Sequence, residues 1–197
     1  MKVFRFLGNE ILLGLLIALL SVLTALASYQ GALADGNQNQ FEIEGMKSLN
    51  DGNILYLESN QIWIQDDGNY DNWYINQDAN PEIAEYYEGN FTELLAGAIE
   101  RNGADEYPMD DQYINELYAD SHELFDESDA SFETANNWNE HGDRLQLVLT
   151  IMAIGLAFAA WASLNKEESN LRGFFSLLAI IALAIGLIVY FTVPVIG

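Results

Sequence analysis

Asp67, Asn69 and Asp71 stand at alternate positions, and Asp78 follows eleven residues after the first of them. These are the first, third, fifth and twelfth positions at which an EF-type loop presents oxygen ligands to calcium. The sixth position, where such a loop needs glycine for its sharp turn, is Asn72, and the last ligand is Asp in place of a bidentate Glu. Both departures count against a true EF-hand. A looser calcium site built on the same oxygens remains an expectation, because calcium accepts flexible ligation. No other cofactor is implied.

His122 and His141 are the only histidines, so one chain cannot assemble a multi-histidine metal cluster. Each lies beside acids, Asp120 and Glu123 in one case and Glu140 and Asp143 in the other. The expected state is a surface imidazole among solvated carboxylates. Patterns for nucleophilic, phosphate-binding or zinc-hydrolase chemistry are missing: there is no Gly-x-Ser-x-Gly, no Gly-rich phosphate loop and no His-Glu-x-x-His. The chain reads as a non-enzyme. Asn90-Phe91-Thr92 fits the N-glycosylation pattern, which makes Asn90 a modification candidate. A net charge of −23 excludes nucleic acid as a partner.

That charge is concentrated. Residues 29–145 hold 27 of the 30 carboxylates and only Lys47, Arg101 and Arg144 as cations. Mutual repulsion of this size is relieved by high salt, where screening is short-ranged. The outer face is therefore expected to be a solvated, salt-adapted surface. With no cysteine in the chain, no disulfide can staple it.

Three uncharged runs, 11–27, 145–165 and 174–197, bracket this segment. A helix needs roughly 20 mainly apolar residues to cross the bilayer, and each run is long enough. The expected layout is a cytoplasmic N-terminus at 1–7, spans at 8–28, 146–164 and 174–194, an acidic domain at 29–145 and a short loop at 165–173. Lys2 and Arg5 precede the first span, and Lys166 and Arg172 occupy the loop between the second and third. Cations flanking short loops are retained in the cytoplasm, which places residues 29–145 outside a plasma membrane. A basic start and Ala32-Leu33-Ala34 also fit a secretory signal. The run from 11 to 27 exceeds the usual core of about 7–15 residues, which favours a retained helix. No ionisable residue falls mid-span, so there is no proton relay or ion path.

Within the first span Gly14, Ala18, Ser21, Ala25, Ser28 and Ala32 recur every three or four residues, a stripe of small side chains on one helix face. In lipid, helices associate by close approach, which small residues allow. Gly155 with Ala159 and Ala182 with Gly186 repeat the spacing more weakly. Beyond the first span, Phe41, Ile43, Met46, Leu49, Ile54, Leu57 and Trp63 predict a helix interrupted near Asp51-Gly52-Asn53, and residues 65–80 read as a loop. Asn80-Pro81-Glu82 starts a second helix carrying Ile83, Tyr87, Phe91, Leu95 and Ala98, which stops at Asn102-Gly103. A third, after Pro108, carries Ile114, Tyr118, Phe125, Phe132 and Ala135 and runs toward the second span. Trp63, Trp73, Tyr74, Trp138 and the Tyr86-Tyr87 pair are core or membrane-interface anchors and the best residues for burying a partner.

The order of these elements resembles a family of uncharacterised three-span prokaryotic membrane proteins. The resemblance rests on Ala27-Ser28-Tyr29-Gln30 closing the first span, on Pro81-Glu82-Ile83-Ala84-Glu85-Tyr86-Tyr87 with Phe91, on Pro108-Met109, and on Ala135-Asn136-Asn137 before an Ala/Gly-rich span. It implies an all-α fold with three transmembrane helices and a helical, coiled-coil-like domain between the first and second. It carries no functional residues across. The expected role is a structural or accessory membrane component with the bilayer, itself or other membrane subunits as partners. The alternative is a cation-binding module that gates a pore or signals.

Overall fold

The computed structural model describes residues 6–103 and 106–194. Lys2 and Arg5, which carry part of the orientation argument, lie outside the described residues. The fold is all-α, with six helices and no strand among the described residues: α1 Glu10–Asn76, α2 Pro81–Glu88, α3 Glu93–Asn102, α4 Asp111–Leu117, α5 Ala119–Leu164 and α6 Asn170–Phe191. Three of them, α1, α5 and α6, are long and apolar enough to cross a membrane. At 67 residues, α1 is more than three times the roughly 20 that one span requires.

Several local expectations change. Residues 65–76 are helical, and nothing interrupts α1 at Gly52. The polar Asp, Asn and Gly residues that read as breaks carry low helix propensity, but packing overrides a weak prior. Gly52 is there because a ring lies against the helix: a Cβ on it would stand 2.9 Å from Phe125. Pro81 opens α2 as expected, although the Asn80 side chain makes no cap bond. The helix expected from Pro81 to Asn102 is two helices. It breaks at Gly89, and Thr92 caps α3 by accepting from the Leu95 backbone N–H at 3.1 Å. Gly103, at φ +88°, ends α3 in a conformation that other residues rarely adopt. After Pro108, α4 is a short turn capped by Asp110, and α5 continues without interruption through the second apolar run.

The chain forms two compact units, residues 1–42 with 133–197 and residues 43–132. In the first, the spans of α1, α5 and α6 pack on one another. Its core includes Leu13, Leu16, Leu20 and Ala27 from α1, Val148, Met152, Ala159 and Ala162 from α5, and Ala179 from α6. Leu13, Leu20, Ala27 and Ala34 lie seven residues apart, the spacing that returns to one face every two turns. Between α5 and α6 the backbones come close: a Cβ on Gly155 would meet that of Ala182 at 3.1 Å. The short turn at 165–169 is closed by Ser169, which caps α6, and by Arg172 Nη1 donating to the Asn165 carbonyl at 3.2 Å.

The second unit uses the same seven-residue spacing with different residues. On α1 the buried positions are Gly45, Gly52, Ser59 and Asp66; on the facing stretch of α5 they are Ser121 and Ser128. Ser128 donates to the Gly45 carbonyl at 2.9 Å, and Ser59 to the Leu117 carbonyl at 2.8 Å. These hydroxyls satisfy acceptors in a seam too close for larger groups, and the rings of Phe125 and Phe132 cover Gly52 and Gly45. A cluster of Tyr70, Leu95, Ala98, Met109 and Tyr113 forms the core where α3 and α4 join α1, with Trp63, Trp73 and Phe91 packed on it.

Candidate functional site

Gly14, Ala18, Ser21, Ala25, Ser28 and Ala32 are all exposed. At 100° per residue the stripe lies about 140° around α1 from the leucines that fill the core. A Cβ on Gly14 would meet nothing within 4 Å. The spans of α5 and α6 therefore leave the stripe uncovered. The weaker small-residue pairs do the intramolecular work: Gly155, Ala159, Ala182 and Gly186 are all buried.

The EF-type arrangement of Asp67, Asn69, Asp71 and Asp78 is not formed. The first three lie within α1, where Asn69 is rotated about 200° from Asp67, so a loop's convergence of ligands is lost. Asp78 sits in the turn beyond the helix end. Their side chains have other roles. Asp67 accepts a 2.7 Å hydrogen bond from the Tyr107 hydroxyl. Partial burial, and then this bond, push Tyr107 up to about 12. Asn69 donates to the Asn90 carbonyl at 3.1 Å. Asp71 and Asp78 are exposed. Among the described residues no three His, Asp or Glu side chains converge as metal ligands do.

The acid that matters structurally is Asp66, which is 0% exposed. Its carboxyl group accepts from the Thr92 hydroxyl, from the Thr92 backbone N–H at 3.3 Å and from the Tyr113 hydroxyl at 2.8 Å. Burial and the bond to Asp66 push the Tyr113 hydroxyl well above the ordinary tyrosine value. One side chain thus ties α1 to the start of α3 and to α4. Asp110 does similar work at the surface. It caps α4 through the Tyr113 N–H at 2.8 Å, takes two bonds from Arg101 at 3.2 and 2.7 Å, and accepts from Asn102 at 2.9 Å. The Arg101 guanidinium, followed by the Tyr113 N–H, holds this carboxyl well below the usual carboxylate range. Neither role was visible in a segment where acids are everywhere. The available signal was the seven-residue repeat from Gly45 to Asp66, whose other members are small.

Asn90 is exposed at the α2–α3 turn, with its amide donating to the Tyr86 carbonyl at 2.6 Å. His122 is exposed and stacked on Tyr118 with ring centres 6.3 Å apart. His141 differs from it. It is half-buried, its Nδ1 stands 2.8 Å from the Pro194 carbonyl, and the Trp138 ring meets it edge-on at 5.8 Å. A carbonyl only accepts, so Nδ1 carries the proton and Nε2 remains for another partner. Both rings line a cavity of about 460 Å³ in the first unit. Across it, the Tyr190 hydroxyl donates to Gln30 at 3.0 Å, linking α6 to α1.

No family model, curated protein or solved structure matches this chain.

Proposed function

We propose that this chain is a structural or accessory component of a multi-pass membrane assembly, associating with itself or with other membrane subunits through the open face of α1. The observation that carries the reading is the exposure of all six small residues while a separate leucine face of the same helix fills the core. Small side chains on a lipid-facing surface permit close approach of another helix, which is what drives association where lipid removes the hydrophobic effect. In the second unit α1 also exposes Ile43, Met46, Leu57 and Ile64, at 67, 63, 60 and 62%. They fall within about 60° of one another on the helix. Large apolar side chains recurring on one face of an otherwise acidic surface, with Asn50, Asn53 and Gln61 between them, support a place where another protein packs.

The acidic load is read as a salt-adapted surface, and the cation pattern as placing residues 29–145 on the outer side of a plasma membrane. The calcium-module alternative loses support with its ligand geometry.

The absence of cysteine makes the test direct. Ser21→Cys lies on the stripe, and Leu19→Cys is an exposed position off it. Oxidation in native membranes is expected to crosslink Ser21→Cys into dimers and to leave Leu19→Cys monomeric. In a full-chain background, Ala18→Leu with Ala25→Leu is expected to abolish the larger species in mild detergent. A chain of unchanged size after that double substitution counts against the reading.

A further inference from the structure

We infer that the exposed face of α1 between residues 43 and 64 pairs with the same face of a second copy of this chain, parallel and in register. Such a pair presupposes the reading of the chain as a membrane component assembling through α1, and it names the partner. Ile43, Met46, Ile54, Leu57, Gln61 and Ile64 all lie within about 40° of Asn50 around the helix. All seven positions are exposed. Gly52 and Ser59, which pack against Phe125 and the Leu117 carbonyl, lie about 160–180° away, so the chain covers the opposite side. None of the seven carries a charge, although residues 29–145 hold 27 carboxylates.

The edges of this face select the occupant. Copies inserted in one membrane share one orientation, so a two-fold axis sets each residue of the face against itself. In such a parallel pair, a residue at one edge meets the residue five places on at its partner's other edge, and these edge pairs set partner choice. Glu42 lies about 80° to one side of Asn50 and Lys47 about 60° to the other, so Glu42 meets the second copy's Lys47. Asn53 meets Glu58 and Asn60 meets Gln65 at the same step. No carboxylate meets a carboxylate at these pairs. Lys47 is the only lysine between residues 29 and 145, and among the described residues it makes no ion pair within its own chain. Glu42 takes one bond from Gln38 at 2.9 Å and keeps its second oxygen. Near the axis, Asn50 and Gln61 each carry donors and an acceptor, so each can hydrogen-bond its own counterpart. A lone Asn at such a position specifies register and oligomeric state. A basic partner would be drawn to carboxylates, and the centre of this face has none. A second copy supplies the carboxylate for Lys47 and the lysine for Glu42 from its own sequence.

The test uses full chains, in which any cysteine is an introduced one. Oxidation of Asn50→Cys in native membranes is expected to give a species of twice the chain mass. Leu49→Cys is exposed but turned about 100° away, beyond the reach of a disulfide, and is expected to give none. In mild detergent, Lys47→Glu sets two like-charged pairs in each dimer and is expected to weaken dimerisation about tenfold. Adding Glu42→Lys to Lys47→Glu exchanges the two charges and is expected to restore it. An Asn50→Cys chain that stays monomeric, or links only to a different protein, overturns the proposal. So does Lys47→Glu dimerising as wild type does, or a double variant as weak as Lys47→Glu alone. Ser21→Cys separates this pairing from the reading beneath it. Linkage through position 21 without linkage through position 50 removes the pairing and leaves the stripe, whereas linkage at neither position removes both.

Discussion

Small residues recur on all three helices that are apolar enough to cross a membrane, but on α1 they face away from the chain and on α5 and α6 they face each other. Connectivity explains the difference. A turn of only five residues, 165–169, obliges α5 and α6 to lie side by side, and Gly155, Ala159, Ala182 and Gly186 let their backbones close. Once those two are in close contact, α1 meets a groove with depth to fill, and Leu13, Leu16 and Leu20 fill it. The small face of α1 is left over. The same spacing therefore means an internal seam in one place and an open surface in another, and spacing alone cannot tell which.

The carboxylates repeat the lesson in water. Asp66 and Asp71 sit five residues apart on one helix. The first has no exposure and accepts from two hydroxyls and a backbone N–H, while the second is solvated.

The largest effect that can test this contrast comes from Asp66→Ala, which leaves the Thr92 and Tyr113 hydroxyls buried without their acceptor. An expected loss of about 3 kcal/mol follows from one to two unsatisfied groups. It should appear as earlier denaturant unfolding of the Trp63 and Trp73 fluorescence, while Asp71→Ala stays within about 0.5 kcal/mol of wild type. Comparable costs for the two would remove the distinction.

Next in size is the contrast between glycines. Gly155→Leu forces a side chain where a Cβ already stands 2.9 Å from Leu20, and overpacking of this kind costs about 1–3 kcal/mol. Gly14→Leu has open space and should leave the melting temperature in detergent unchanged while weakening any association through the stripe.

A smaller effect is expected from Asp110, and it depends on pH. Its carboxyl is lowered from an ordinary value of 3.8, chiefly by Arg101. Its contribution is therefore present above that value and is lost as pH falls through the folded value. Asp110→Asn is expected to be less stable than wild type at pH 7, with the gap closing below about pH 4, where the unfolded chain's carboxyl takes up its proton, and gone once pH has fallen through the lower folded value. A gap that stays constant down to acid pH would show that the charge plays no part. The mildest test concerns Tyr107, whose ionisation should appear near pH 12 in wild type and move toward the ordinary tyrosine value of 10.0 in Asp67→Asn. Ultraviolet difference titration reads it directly.

Much of the fold was legible before any coordinates. Length and the lack of charge identify the three apolar helices, Pro81 and Gly103 punctuate the chain where they should, and the stretch after Pro108 reaches the second span, although as two helices that break at Tyr118. The errors cluster where polar residues were taken as breakers. Asp51-Gly52-Asn53 and residues 65–76 are helical because they serve a seam that needs small or hydrogen-bonding side chains. A breaker and a close-contact residue are the same letter. The cavity beside His141 was not legible either, since its walls come from positions as far apart as Gln30 and Pro194.

What the amino-acid order determined by itself is the three apolar helices and the concentration of carboxylates between the first two, because charge and hydropathy are properties of local stretches. Which face of each helix is covered was decided only in three dimensions. Burial belongs to pairs of surfaces, and the partner of α1's leucine face, of Asp66 and of His141 is brought to it by the chain's path.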